Sequence, residues 1–282
     1  MYVQDLLNGL TSAGIYILIA LGLTLILGIV GIVQMAHGEM YMVGAYVVYL
    51  FSMSMGLPYF AALVISIILV GCLGIVVERL FLRRFRGDVE GAIICTTAFI
   101  LVLQTAVKGI AGPSYKDIAS PVEGVVEVFG ARLSWEEIVI ILVSAVLVVA
   151  LLVSIKWTKP GQAMMAISED LVGATLQGIN VDRLSSIAMF IGCGLAAAAG
   201  GLIGATFSLE PFMGGFALTQ GITVIILGGL GSVPGAIIGG LILGLIDGLL
   251  TPQVSPTIAS IVGLVIVILI LLFRPKGLLG YE

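Results

Sequence analysis

Of 282 residues, 60% are hydrophobic and only 10% are charged, and the mean hydropathy is +1.25. Soluble domains are roughly 45–50% apolar and ~25% charged, so this chain lacks the polar residues to cover a water-facing surface and reads as a polytopic membrane protein. The formal charge of −4, from 12 basic and 16 acidic residues, carries no broad basic patch and excludes nucleic acid as a partner.

The opening stretch, MYVQDLLNGLTSAG, has no basic run, and its apolar character continues past Ile29. It is therefore read as a retained membrane helix and not as a cleaved signal. A bilayer core of about 30 Å takes roughly 20 helical residues, and runs without barrel-type alternation are helices. Such runs fall near 9–33, 36–53, 58–81, 91–110, 136–156, 184–207, 216–231, 235–250 and 257–273. The fold class is an all-α membrane bundle of about eight to ten helices, some broken or re-entrant, because the seventh and eighth runs are short for a full crossing. Cys72, Cys95 and Cys193 all lie inside apolar runs and form neither a disulfide framework nor a metal site.

Between the first two runs stands GIVQMAHGEMYMVGAY, Gly31 to Tyr46, with the only histidine of the chain. If both flanking runs cross fully, His37 and Glu39 occupy a turn at the membrane end. Three readings stay open for them: holding a helix break in shape, lining or gating a pathway, and coupling a proton. After the third run come Arg79, Arg83, Arg84 and Arg86, with Glu78 and Arg79 read as a membrane-end ion pair. The loop from Lys108 to Glu137 carries three basic residues but also five acids.

After the fifth run comes KWTKPGQAMMAISEDLVGATLQGINVDRLSS, Lys156 to Ser186. Beyond Pro160 and Gly161, residues 162–176 read as one short amphipathic helix with Ser168 capping a turn at Glu169. Ala163, Met164, Ile167, Leu171 and Ala174 recur at helical spacing, and Gly178 is its stop. Such a helix either rests on its own subunit or docks a soluble partner, with Met164 and Met165 as adaptable contacts. Further on, Glu210 reads as a loop acid and Asp247 as an acid reaching the interface, with a substrate amine the sharper alternative for either.

Glycines recur four apart at Gly200 and Gly204 and at Gly240, Gly244 and Gly248, a spacing that lets helices approach closely within one subunit. ILGGLGSVPGAIIGG, Ile226 to Gly240, interrupts a helix outright. LTLILGIVG (23–31) faintly echoes ITVIILGGLG (222–231), and paired interrupted segments in two halves of a chain point to a transporter. Lys156, Lys159, Arg183, Arg274 and Lys276 join the arginine cluster in placing loops 82–90 and 157–183 and the C-terminus in the cytoplasm, and an odd count of crossings puts the N-terminus outside.

NGLTSAGIYILIALGLTLILGIVGIVQMAHGEMYMVGAYV resembles the start of the H-type permease subunit of branched-chain amino acid ABC transporters. GQAMMAISEDLVGATLQGINVDRLSS resembles that family's cytoplasmic coupling segment. VIILGGLGSVPGAIIGGLILGLI and LFRPKGLLG resemble two further landmarks, all in family order along nearly the whole chain. The resemblance implies one transmembrane permease domain over 1–282 with a coupling loop at 157–183, in a multi-pass protein of the inner membrane. The partners it implies are a second, related permease subunit, two ABC ATPase subunits, an external substrate-binding protein and the lipid bilayer, and the cargo is a small-molecule amino acid. ATP and Mg would be bound by the ATPases and no cofactor by this chain, which lacks a G-x-x-x-x-G-K-[ST] loop.

The candidate pathway or helix-break residues are Gln34, His37, Gly38 and Glu39, then Gly228, Gly229, Gly231 and Pro234. The ATPase-coupling residues are Gln162, Met165, Ser168, Glu169, Asp170, Leu171 and Gly178. Two departures stand out: Met165, followed by Ala166, replaces an arginine common in the coupling segment, and Gln34 stands near the family's asparagine. Alternatives are an ion-coupled secondary transporter and an importer permease for urea or short amides. A membrane enzyme finds no support, since neither H-E-x-x-H nor G-x-S-x-G occurs and no metal-ligand or catalytic set is assigned.

Overall fold

Each of the nine apolar runs forms a helix in the computed structural model, which describes residues 2–119, 124–128 and 131–280. The first five are α1 (Tyr2–Val30), α2 (His37–Tyr49), α3 (Tyr59–Leu80), α4 (Val89–Ala111) and α5 (Trp135–Trp157). Two short helices follow, α6 (Lys159–Glu169) and α7 (Leu171–Leu176). The chain then returns through α8 (Val181–Ile203), α9 (Gly214–Gly228), α10 (Val233–Leu250) and α11 (Pro256–Phe273). By length and composition α1, α3, α4, α5, α8 and α10 can each cross a bilayer, whereas α9 and α11 are shorter apolar helices. The result is the polytopic, partly broken helix bundle expected from the sequence.

Lipid gives helices no hydrophobic reason to associate, so close van der Waals approach has to hold them together. The recurrent glycines supply it. On α10, Gly240 packs on Ile17, Gly244 on Ala13 and Gly248 on Gly9, so the stripe seats α10 along the first half of α1. Gly200 of α8 lies against the Tyr41 backbone of α2 in the same way. The spacing is spent inside the chain. Outer faces of α4, α5 and α11 stay apolar and exposed, as at Leu101, Val146 and Ile268.

Two ends can be told apart. One holds the C-terminal ends of α1, α3, α5, α9 and α11, the start of α8, and α6 and α7; it carries the arginine cluster. At the other end the Lys108–Glu137 loop contains a hairpin, β1 (Val125–Val128) paired antiparallel with β2 (Ala131–Ser134). Ser134 then starts α5 with a reciprocal cap. Its Oγ accepts from Glu137 N–H at 3.2 Å, and the Glu137 carboxylate accepts from Ser134 N–H at 2.9 Å. Arg132 N–H donates to Gln4 Oε1 at 2.7 Å, so the start of α1 lies at this hairpin end, opposite the tail that follows α11.

Candidate functional site

α1 ends at Val30 on the basic end, and Gly31, at φ 72°, turns the chain back. Residues 32–36 then run non-helically into the bundle, and α2 starts deep inside it. Gln34 Nε2 stands 4.0 Å from Cys193 Sγ, and Cys193 lies about 18 Å along α8 from Val181 at ~1.5 Å per residue. The expected position in a turn at the membrane end is thereby corrected: Gln34, His37 and Glu39 are 0%, 0% and 2% exposed.

The break survives at depth because its backbone is satisfied locally. His37 N–H donates to the Gln34 carbonyl at 3.2 Å, and the N–H groups of Glu39 and Met40 share the Ala36 carbonyl at 3.1 and 3.2 Å. Neighbouring glycines make the room. A methyl at Gly22 of α1 would stand 2.8 Å from His37 Nε2, and one at Gly38 would collide with the Gly214 carbonyl of α9.

The motif faces two ways. Gln34 and His37 wedge between α1 and α8, toward Cys193 and Gly22. Glu39 turns toward α4 and α9, where Gln104 Nε2 donates to Glu39 Oε1 at 2.9 Å and a methyl at Gly214 would crowd the same carboxylate. Two buried atoms in this break make no hydrogen bond, Gln34 Oε1 and Glu39 Oε2, while the His37 ring lies against the Ile19 backbone of α1. Each such group costs about 1–3 kcal/mol.

The second break joins α9 to α10. Gly228 and Gly235 approach so closely that a methyl on either would meet the other's carbonyl, and Gly229, at φ 108°, and Gly231 turn the chain. Ser232 Oγ caps α10 by accepting from Gly235 N–H at 3.1 Å, and Pro234 occupies the first turn, where its missing N–H costs nothing. The last carbonyls of α9 are not left open. Leu278 N–H donates to the Leu227 carbonyl and Leu279 N–H to that of Gly228, both at 2.9 Å. The tail motif and the glycine break, far apart in sequence, therefore form one unit.

At the basic end the 162–176 segment is two helices and not one. Asp170, not Ser168, makes the cap, its Oδ1 accepting from Val172 N–H at 3.0 Å, while Ser168 Oγ bonds back to the Met165 carbonyl. Thr158 caps α6 by accepting from Gly161 N–H at 3.1 Å. Met164, Ile167 and Ala174 face inward as their spacing requires. Leu171 instead faces out, because the restart at Asp170 rotates it, and joins Val172, Leu176 and Met165 in an exposed apolar tip beside Glu169, Asp170 and Gln162. Gly178 closes α7, its N–H donating to the Thr175 carbonyl. Beneath α6 lies an apolar cavity of about 270 Å³ lined by Leu25, Leu151, Ile155, Met164, Ile187 and Ile191.

Glu78, expected to pair with Arg79, pairs instead with Arg83 at 3.0 Å and Arg86 at 2.9 Å. Adjacent helical residues point apart, and Arg79 reaches Ser186 of α8 at 3.4 Å. Ser186 Oγ also donates to Glu78 Oε2 at 2.8 Å, and Asp182 bonds both Arg83 and Arg86. Hydrogen bonds to Glu78 raise the Arg83 pKa above its ordinary value. Asp247 is likewise tied within the bundle, accepting from Tyr16 OH at 2.8 Å and Thr251 Oγ1 at 3.3 Å. Sequence reasoning missed the roles of Gln104 and Ser186 and the bonds of the LFRPKGLLG tail to α9. Gln104, the one amide side chain in the largely apolar stretch 98–107 of α4, is the hint that was available.

The family model described as "Branched-chain amino acid transport system / permease component" matches residues 5–272. The high-affinity branched-chain amino acid transport system permease protein LivH of Salmonella typhimurium is 35% identical, the alignment spanning 99% of this chain and 96% of that protein. The corresponding BraD protein of Pseudomonas aeruginosa is 34% identical over the same shares. Among solved structures, PsaBC from Streptococcus pneumoniae in complex with Fab shares the fold with a TM-score of 0.52 at 14% identity, over 93% of this chain and 89% of that one.

Proposed function

The chain belongs to the branched-chain amino acid transport permease family, and on that premise we propose that it passes leucine, isoleucine, valine or similar small amino acids across the inner membrane. It is a multi-pass membrane protein and the permease subunit of an ABC importer. Importers of this class work with a second permease, ATPase subunits and a binding protein; here the second permease is a related chain, two ATPases sit beneath, and the binding protein docks outside. The whole of 1–282 acts as one permease unit.

Nine of the twelve basic residues gather at one end, all except Lys108, Lys116 and Arg132. That asymmetry supports a cytoplasmic basic end and tail and an external N-terminus. On this orientation 157–183 is the coupling loop. Its apolar tip at Met165, Leu171, Val172 and Leu176 faces water, where a groove on an ATPase would cover it. Gln162, Ser168, Glu169 and Asp170 form the polar rim of that contact, and Gly178 delimits it.

The two breaks divide the work. Gln34, His37 and Gly38 hold α2 in place between α1 and α8, whereas Glu39 lines the pathway, since its carboxylate turns away from that wedge toward Gln104 of α4 and Gly214 of α9. Gly228, Gly229, Gly231 and Pro234 form a braced turn at the basic end. ATP binding and closure of the ATPases move the coupling loop, and the helices rock around these breaks, with no covalent chemistry in this chain.

The observation that carries the reading is near-full-length relatedness to permeases whose names state that cargo. A ligand screen of the cognate binding protein tests it. Leucine, isoleucine and valine should bind and compete with one another; binding of none of the three would remove the proposed cargo.

A further inference from the structure

We propose that Asp182, Arg86 and Glu78, with Arg83 and Ser186, form the link that passes motion of the α6–α7 segment to α4 and on to the first break. They act as positioning residues, and the inference rests on the proposed docking of that segment on an ATPase.

The chain leaves no slack on either side of the cluster. From α7, Ile179 N–H donates to the Ala174 carbonyl at 3.2 Å, Asn180 caps α8 by accepting from Arg183 N–H at 3.0 Å, and Asp182 stands in the first turn. A displacement of α7 is therefore delivered to Asp182. On the other side, Arg86 is followed by Gly87 and by Asp88, whose Oδ1 caps α4 by accepting from Gly91 N–H at 3.0 Å. The same loop grips α4 through Phe81, edge-on to Phe99 with ring centres 5.0 Å apart.

Between the two sides stands the charge cluster. Arg86 bonds Glu78 and Asp182 together, and Arg83 adds bonds to Glu78, to the Asp182 carbonyl at 3.2 Å and to Ser186 at 3.2 Å. Glu78 is fully buried and cannot leave without abandoning both arginines. α4 buries only Ala92, Thr96, Leu103 and Val107, so its position depends on how its start is held and on the Gln104–Glu39 bond at depth. The cavity beneath α6 gives that helix room to move. Two-state elements joined by such bonded contacts are the physical means by which one site biases another.

Asp182 is the clean probe. Its side chain is 53% exposed, and its loss leaves Glu78 paired with two arginines, so the fold is retained. In proteoliposomes holding the complete transporter, Asp182→Asn should keep binding-protein-stimulated ATP hydrolysis but raise the ATP spent per leucine imported by about 2- to 30-fold. Asp182→Glu should restore the ratio. A wild-type ratio in Asp182→Asn, or equal losses of hydrolysis and import, would overturn the link. Crosslinking from Leu171 to the ATPase in the wild-type complex is the separate check: its absence counts against the docking, and its presence with an unchanged ratio counts against the link alone.

Discussion

The first break depends on two glycines of one helix being unequal, and their replacement by alanine makes the inequality measurable. At Gly22 a methyl would stand 2.6 Å from the Gly192 carbonyl oxygen and 2.8 Å from His37 Nε2, so backbone on one side and a fully buried ring on the other would both have to yield. Overpacking of this kind costs about 1–3 kcal/mol, and rigid backbone puts it in the upper half of that range. Alanine returns about 1 kcal/mol of helix propensity, leaving a net loss of roughly 1–2 kcal/mol. At Gly28 the nearest neighbour of such a methyl is Ser168 Cβ at 3.8 Å, an ordinary contact. There only the propensity gain remains, up to about 1 kcal/mol. Thermal unfolding of the purified protein in detergent, at about 2–4 °C per kcal/mol for a chain of this size, should place Gly22→Ala below wild type and Gly28→Ala level with it or above. Equal midpoints for the two variants would refute the seating of His37 against α1.

Glu39→Gln should leave the unfolding midpoint near that of wild type yet slow import roughly 10- to 100-fold, as the loss of a ~1.5–3 kcal/mol charged hydrogen bond would. His37→Ala should do the reverse, lowering stability by about 1–3 kcal/mol with the apparent KM for leucine unchanged; the opposite pattern in uptake and melting assays would exchange the roles given to the two residues. Leu279→Pro removes the donor to the Gly228 carbonyl and should cost about 1–3 kcal/mol by the same melting assay; no loss would mean that the tail does not brace α9. Ser134→Ala breaks the reciprocal cap of α5 and should cost about 0.5–2 kcal/mol, with a stability equal to wild type counting against it.

What was legible in the sequence follows from what lipid demands. A helix that must cross hydrocarbon has to be long, apolar and internally bonded, so all nine runs and both glycine breaks could be read from composition alone. The depth of the first break could not. Ile32, Val33 and Met35 look like helix, and only the room provided by Gly22, distant in sequence, allows the chain to turn inward there. Pairing was equally hidden. Glu78 and Arg79 are neighbours in sequence but point apart on α3, while Arg83 and Arg86 fold back to Glu78 through a short loop. Ser168 and Asp170 are both competent caps, and the choice fell to where α6 ends. The tail's bonds to α9 depend on where α11 is packed, which no local pattern encodes.

Leucine uptake into proteoliposomes containing this chain, its partner permease and the ATPases, with binding protein outside and ATP inside, is the most direct test of the permease assignment. As the permease of an ATP-driven importer, the chain should support uptake that requires both ATP and binding protein and that persists when ionophores collapse every ion gradient. Uptake that follows an imposed ion gradient without ATP would contradict that assignment.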